Sequence, residues 1–208
     1  RLPGPNLLHA RPGAILDVTG PEDEVRALVA PWETAARRML DALGWDAEET
    51  GWRPFRRGVS LLDTAPLDAL YAATELNEHA FAVARAALGQ GKPPDVEADR
   101  ERLAEAVAAE ANPALRALRD ESLRRGVCFL ADRRRASVGM GVGSRRWWVD
   151  DLPRPDEVAW DLRHDVPLAI VTGTNGKSTT VRATAAVLRA AGLTPGTCST
   201  DGVLVGDE

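Results

Sequence analysis

Residues 172–179 read TGTNGKST, between an apolar run at Val166–Val171 and a stretch, Ser178–Ala191, with helical spacing of Val181, Ala185 and Leu188. The residue types suit phosphate chemistry. Gly173 and Gly176 let the backbone curl until consecutive N–H groups point at one phosphate, and the helix that follows adds the positive end of its dipole. Lys177 supplies a point charge, and Ser178 places a hydroxyl where a magnesium ion bridging nucleotide phosphates takes a ligand. Thr174, Asn175 and Thr179 complete the loop. The general phosphate-loop pattern requires a glycine five residues before Gly176, where this chain has Val171. The general pattern is therefore not met, although a strand–loop–helix context is predicted.

The string TGTNGKST does resemble the nucleotide loop of the Mur ligase family, T-G-T-N-G-K-T/S-T. The resemblance continues through VRATAAVLRAAGLTPGTCSTDGVLVGDE, whose ending is similar to the Mur-ligase part of cyanophycin synthetases. RLPGPNLL at the start resembles their amino-terminal R-G-P-N segment, and GMGVGSRRWW resembles the L-G-x-G-x-R-x-R stretch that opens their ATP-grasp part. In those enzymes an ATP-grasp module of a few hundred residues separates the two regions. Here only about 20 residues lie between Trp148 and the strand before the loop, too few for a domain.

The resemblance implies an ATP- and Mg2+-dependent ligase. ATP phosphorylates a carboxylate, and an amine (an amino acid or peptide) attacks the acyl phosphate to give an amide, ADP and phosphate. Lys177 would be the catalytic residue, stabilising charge on the transferring phosphoryl group, with Gly173, Thr174, Asn175, Gly176, Ser178 and Thr179 binding the nucleotide. Ser178 would hold the metal, and Ser199 and Thr200 occupy the place where relatives put a hydroxyl near the second metal or the substrate. The family's acidic metal ligand, carboxylated lysine and closing carboxy-terminal domain would all lie beyond Glu208, so the chain is expected to be a fragment of a ligase. Two other readings stay open: a P-loop ATPase or kinase that makes no amide, and a non-catalytic binding module.

The elements that must position this loop follow from periodicity. Val25, Leu28, Val29, Trp32, Ala36, Met39 and Leu40 predict a helix from Pro21 to about Leu43, with Pro31 as a break or kink and Gly44 at its end. A second helix is predicted from Pro66 to Leu88, and two charged-faced helices over 96–125, interrupted at Asn112-Pro113. Ala14–Val18, Val59–Leu62 and Val127–Leu130 are predicted strands, and GWRPFRRGVSLLDTAP a turn-rich connection. Val166–Val171 is apolar throughout, as in a parallel strand buried on both faces, and Thr194–Thr200 would be the next strand. In that setting Leu168, Ile170 and Val171 need further strands and helices around them. The predicted class is α/β: an α+β accessory domain at 1–150, a linker at 151–165, and the beginning of a parallel-sheet ATP-binding domain at 166–208.

Composition narrows the function classes. The 208 residues carry a net charge of −5, are 44% hydrophobic, and include no basic block, which argues against a nucleic-acid binder. No apolar run approaches the roughly 20 residues of a membrane span. Cys128 and Cys198 have neither metal-type spacing nor the density of a disulfide scaffold, so a reducing cytoplasm is expected. A homo-oligomer stays open. Gly139, Gly141 and Gly143 read as a turn rather than a second phosphate loop, Trp147 and Trp148 as anchors of a domain contact rather than a stacking surface, and Cys198 as a buried strand residue. His9, His79 and His164 lack spaced ligand partners and read as structural or solvated.

Overall fold

Val25, Leu28, Val29, Trp32, Ala35, Ala36, Met39 and Leu40 form the buried stripe of helix α1, Glu22–Ala42. Its first turn carries Glu22, Asp23 and Glu24, whose charges complement the helix dipole. Pro31 lies inside the helix and does not end it. At the far end Gly44, with φ of 70°, turns the chain, and its N–H donates to the Asp41 carbonyl. In the computed structural model, which describes residues 1–200 and 202–206, the chain divides into two compact units, Arg1–Asp165 and Val166–Glu208.

In the first unit α1 packs with helix α2, Leu70–Ala87, over an antiparallel sheet of β1 (Gly13–Thr19), β2 (Thr50–Phe55) and β3 (Gly58–Thr64) in the order β1-β3-β2. Trp32, Leu40, Leu61 and Leu76 are fully buried at this contact, and each such side chain contributes roughly 1.5–3 kcal/mol by leaving water. One polar thread runs through the apolar layer. Trp32 Nε1 donates to Asn77 Oδ1 at 3.0 Å, and Asn77 Nδ2 donates to the Leu61 carbonyl at 3.1 Å. Helix α2 starts at Leu70, later than Pro66 predicts, because residues 66–69 form a tight turn closed by the Ala69 N–H on the Pro66 carbonyl. Strand β2, apart from Thr50, lies inside the stretch predicted as connection.

Helices α3 (Val96–Glu110) and α4 (Pro113–Arg124) begin at side-chain caps. Asp95 accepts from the Ala98 N–H at 3.1 Å and Asn112 from the Leu115 N–H at 2.9 Å, with Pro113 in the first turn, where its missing donor costs nothing. His79 Nδ1 lies 2.8 Å from Asp99 Oδ2 and ties α3 to α2.

A second antiparallel sheet, β4 (Phe129–Ala131), β5 (Arg135–Val138) and β6 (Arg145–Trp148), buries Ala136 and Val138 on one face. That face packs with Leu118 and Val158, edged by Trp147, Leu152 and Trp160. Residues 151–165, read from composition as a linker, therefore belong to the first unit. The glycine turn after β5 holds their end. The Met140 N–H donates to the His164 carbonyl at 3.0 Å, and a Cβ at Gly143 would stand 2.4 Å from that same oxygen. Asp165 then accepts the Cys128 N–H at 2.9 Å.

The second unit contains helix α5 (Lys177–Ala190) and a hairpin of β7 (Gly196–Ser199) with β8 (Gly202–Val205). The expected parallel sheet is corrected here. Among the described residues every sheet is antiparallel, and residues 166–172 have no regular structure. An apolar run becomes a strand only when neighbouring strands take up its backbone groups, and Pro167 has no N–H to give. Leu168 and Ile170 accordingly stand 67% and 84% exposed. No helix of the described residues is long and apolar enough to cross a membrane.

Candidate functional site

The loop 173–176 is a series of bends that ends at the first residue of α5. Gly173 and Gly176 have φ of 149° and 79°, a region that side chains with a Cβ rarely enter, so the two glycines are required by this path. Gly176 is the N-cap residue, and no side chain caps the helix, which leaves the first N–H groups of α5 available to an anion. The Lys177 ammonium donates to the Gly173 carbonyl at 2.6 Å and the Thr174 carbonyl at 3.3 Å, folding over the loop it follows. It is exposed, as is Thr179 on the same turn. Asn175 lies in the bend between the glycines.

The hairpin brings a second chain segment to the loop. Ser178 Oγ lies 3.2 Å from Thr200 Oγ1, twenty-two residues on. Ser199, the last residue of β7, is half-buried beside it in sequence. Thus the structure joins Ser178 with Thr200, two of the hydroxyls singled out for metal, at the base of the phosphate loop. Among the described residues no group of three His, Cys, Asp or Glu is placed to hold a metal ion. A magnesium ion here would draw on hydroxyls and on the oxygens of a bound phosphate, as this ion does when it binds with its nucleotide.

Other residues singled out from sequence fall elsewhere. The Gly139–Gly143 turn encloses the His164 carbonyl and has no room for a phosphate. Trp147 faces the second core, whereas Trp148 is 54% exposed with the Arg135 guanidinium 4.5 Å from its ring centre. Cys198 is exposed, a correction to its reading as a buried strand residue: among the described residues β7 pairs with β8 alone. His9 bonds Glu49 and His79 bonds Asp99, so both are structural.

Sequence reading passed over Asp63. It is fully buried in β3, and neither carboxylate oxygen has a hydrogen-bond partner among the described residues. Burial drives its pKa well above the ordinary carboxyl range; Asn77 offsets part of this, and the Glu48 charge adds to it. The signal was present in VSLLDT, residues 59–64, where the alternation that places Val59 and Leu61 inward also turns Asp63 inward.

No family model matches the chain. A stretch of 42 residues is similar to a cyanophycin synthetase. That protein, from Crocosphaera subtropica (strain ATCC 51142 / BH68), is 52% identical over the stretch, which is 20% of this chain and 5% of the curated relative. The likeness suggests a ligase relation and extends no further.

Proposed function

We propose that the TGTNGKST loop binds ATP with magnesium and that the protein to which it belongs is an amide-forming ligase of Mur type, acting through an acyl phosphate. The observation that carries this reading is the meeting of Ser178 and Thr200 at 3.2 Å beneath a glycine-formed helix N-terminus. A phosphate loop needs a hydroxyl at the residue after its lysine to ligand the metal. Here that hydroxyl has a second one beside it, supplied by the segment that the family resemblance also singles out.

The α5 N–H groups would bind phosphate oxygens, and Lys177, released from the Gly173 and Thr174 carbonyls, would swing to the transferring group. Magnesium, when bound, offsets charge repulsion between the phosphates and an approaching carboxylate. Ser178 and Thr200 would orient it. A carboxylate and an amine, an amino acid or peptide, are the co-substrates.

The test is ADP release by the full-length natural protein, with carboxylate and amine supplied singly and together. Release only with both, abolished in Lys177→Ala, fits the ligase. Release without amine would instead indicate an ATPase or kinase. ATP turnover undiminished in Lys177→Ala would remove the loop from the chemistry.

A further inference from the structure

The first unit has a groove of about 470 Å³ between the start of α1 and the β2–β3 hairpin. Its floor is apolar: Val25, Val29 and Val59 are 5%, 8% and 2% exposed. Trp52 and Phe55, which also line it, are 46% and 42% exposed and adjoin the buried valines, so the floor and these rings form one continuous apolar surface. Register explains the place of Trp52: it and Pro54 pair with Leu61 and Val59, so they lie on the core-facing side of the sheet, at its open edge, while Phe55, paired with Gly58, lines the groove from the end of the strand.

Arg26, Arg56 and Arg57 border the groove and are exposed. Among the described residues none of them has a carboxylate within salt-bridge distance, so their charge is not offset locally. Glu22 is the one acidic residue at the groove, in the first turn of α1, where the helix dipole already favours it. The mouth is held in shape by the backbone, since the Gly20 N–H donates to the Arg57 carbonyl at 3.2 Å.

We infer that this groove binds a small amphipathic carboxylate, its apolar tail on the valine floor between Trp52 and Phe55 and its carboxylate at the arginine rim. An apolar pocket of this size with a few polar groups at one side is the usual form of a small-molecule site. The guanidinium fork matches a carboxylate in shape and charge. The excess of arginine over acid at the rim selects an anion over a neutral or cationic head. This site is independent of the ATP reading, because it lies wholly within the first unit.

The test is titration of the chain with decanoate, octanoate, acetate, decanol and decyltrimethylammonium below their micellar concentrations, by calorimetry and tryptophan fluorescence. Decanoate should bind saturably, and affinity should fall roughly fourfold per methylene removed. The uncharged and cationic decyl compounds should bind more weakly. Replacing both Arg56 and Arg57 by Gln should weaken decanoate severalfold, as for exposed ion pairs, and leave decanol unchanged, while Trp52→Ala should weaken both. All three side chains are exposed, and circular dichroism checks that the variants fold. Affinity independent of tail length, equal binding of the cationic compound, or decanoate binding untouched by the variants would overturn the inference.

Discussion

Replacing Asp63 by Asn should change how the first unit's stability responds to pH. In the folded chain the carboxyl is buried without a hydrogen-bond partner, and its pKa is raised well above the ordinary value, so the folded state holds its proton at a pH where the unfolded chain has released it. Folding then takes up a proton. Stability attributable to this group is greatest below the ordinary Asp range and falls as pH rises toward the raised pKa, with a slope of up to about 1.4 kcal/mol per pH unit. The loss runs from the ordinary Asp range up to the raised pKa and ends there. Asn has the same shape and no proton to release. Its amide is as poorly served as the protonated acid, so the two proteins should be within about 1 kcal/mol of each other at pH 5, and the variant should be the more stable at pH 8. Urea unfolding of both as pH is raised measures the difference. Parallel curves for the two proteins would refute the argument, as would a carbon-13 titration of the Asp63 carboxyl at an ordinary value.

Further outcomes follow from other contacts. Asp99 is held below its ordinary pKa, because hydrogen bonds from His79 and Arg102 outweigh a desolvation that acts the other way. Its contribution is present above the ordinary Asp pKa and lost as pH falls through the depressed one, and Asp99→Asn should remove this acid sensitivity from amide exchange in α3. Calorimetry should show magnesium-dependent ATP binding weakened on the order of tenfold by Ser178→Ala and less by Thr200→Val, as for loss of one charge-assisted contact; equal affinity in all three proteins would count against the hydroxyl pair. Limited proteolysis should cut first within residues 166–176, which lack regular structure and expose Leu168 and Ile170, and spare 151–165, where Val158 is buried. Mass spectrometry of the fragments decides this.

Much of the first unit is legible from local pattern. The stripe from Val25 to Leu40 and the Asn112-Pro113 break each specify a helix or its boundary through side chains a turn apart. What escaped depends on distant partners. β2 contains Pro54 and an arginine pair beside it, a turn's composition, and becomes a strand because β3 pairs with it. β5 and β6 sit among glycines and become a sheet because Leu118 and Val158 cover Ala136 and Val138. The opposite error at Val166–Val171 has the same origin, since an apolar run without pairing partners is not a strand. The chemistry of the loop was readable because glycine, lysine and serine act there within a few residues of one another. The Thr200 hydroxyl needed a hairpin to reach Ser178, and the arginine-rimmed groove combines α1 with β2 and β3, which no local spacing reveals.

The hold on His164 is made by main chain: an N–H from Met140, and glycines at 139 and 143 that leave room for the carbonyl. Such a fastening places its demands on the receiving turn rather than on the strap. Residue 164 can change its side chain and keep its seat, while a single methyl group at 143 would push the strap away. The main-chain seat of residue 164 is thus governed by positions some twenty residues earlier, in a turn whose composition looks like slack, while the Val158 and Asp165 side chains hold the stretch on either side of it.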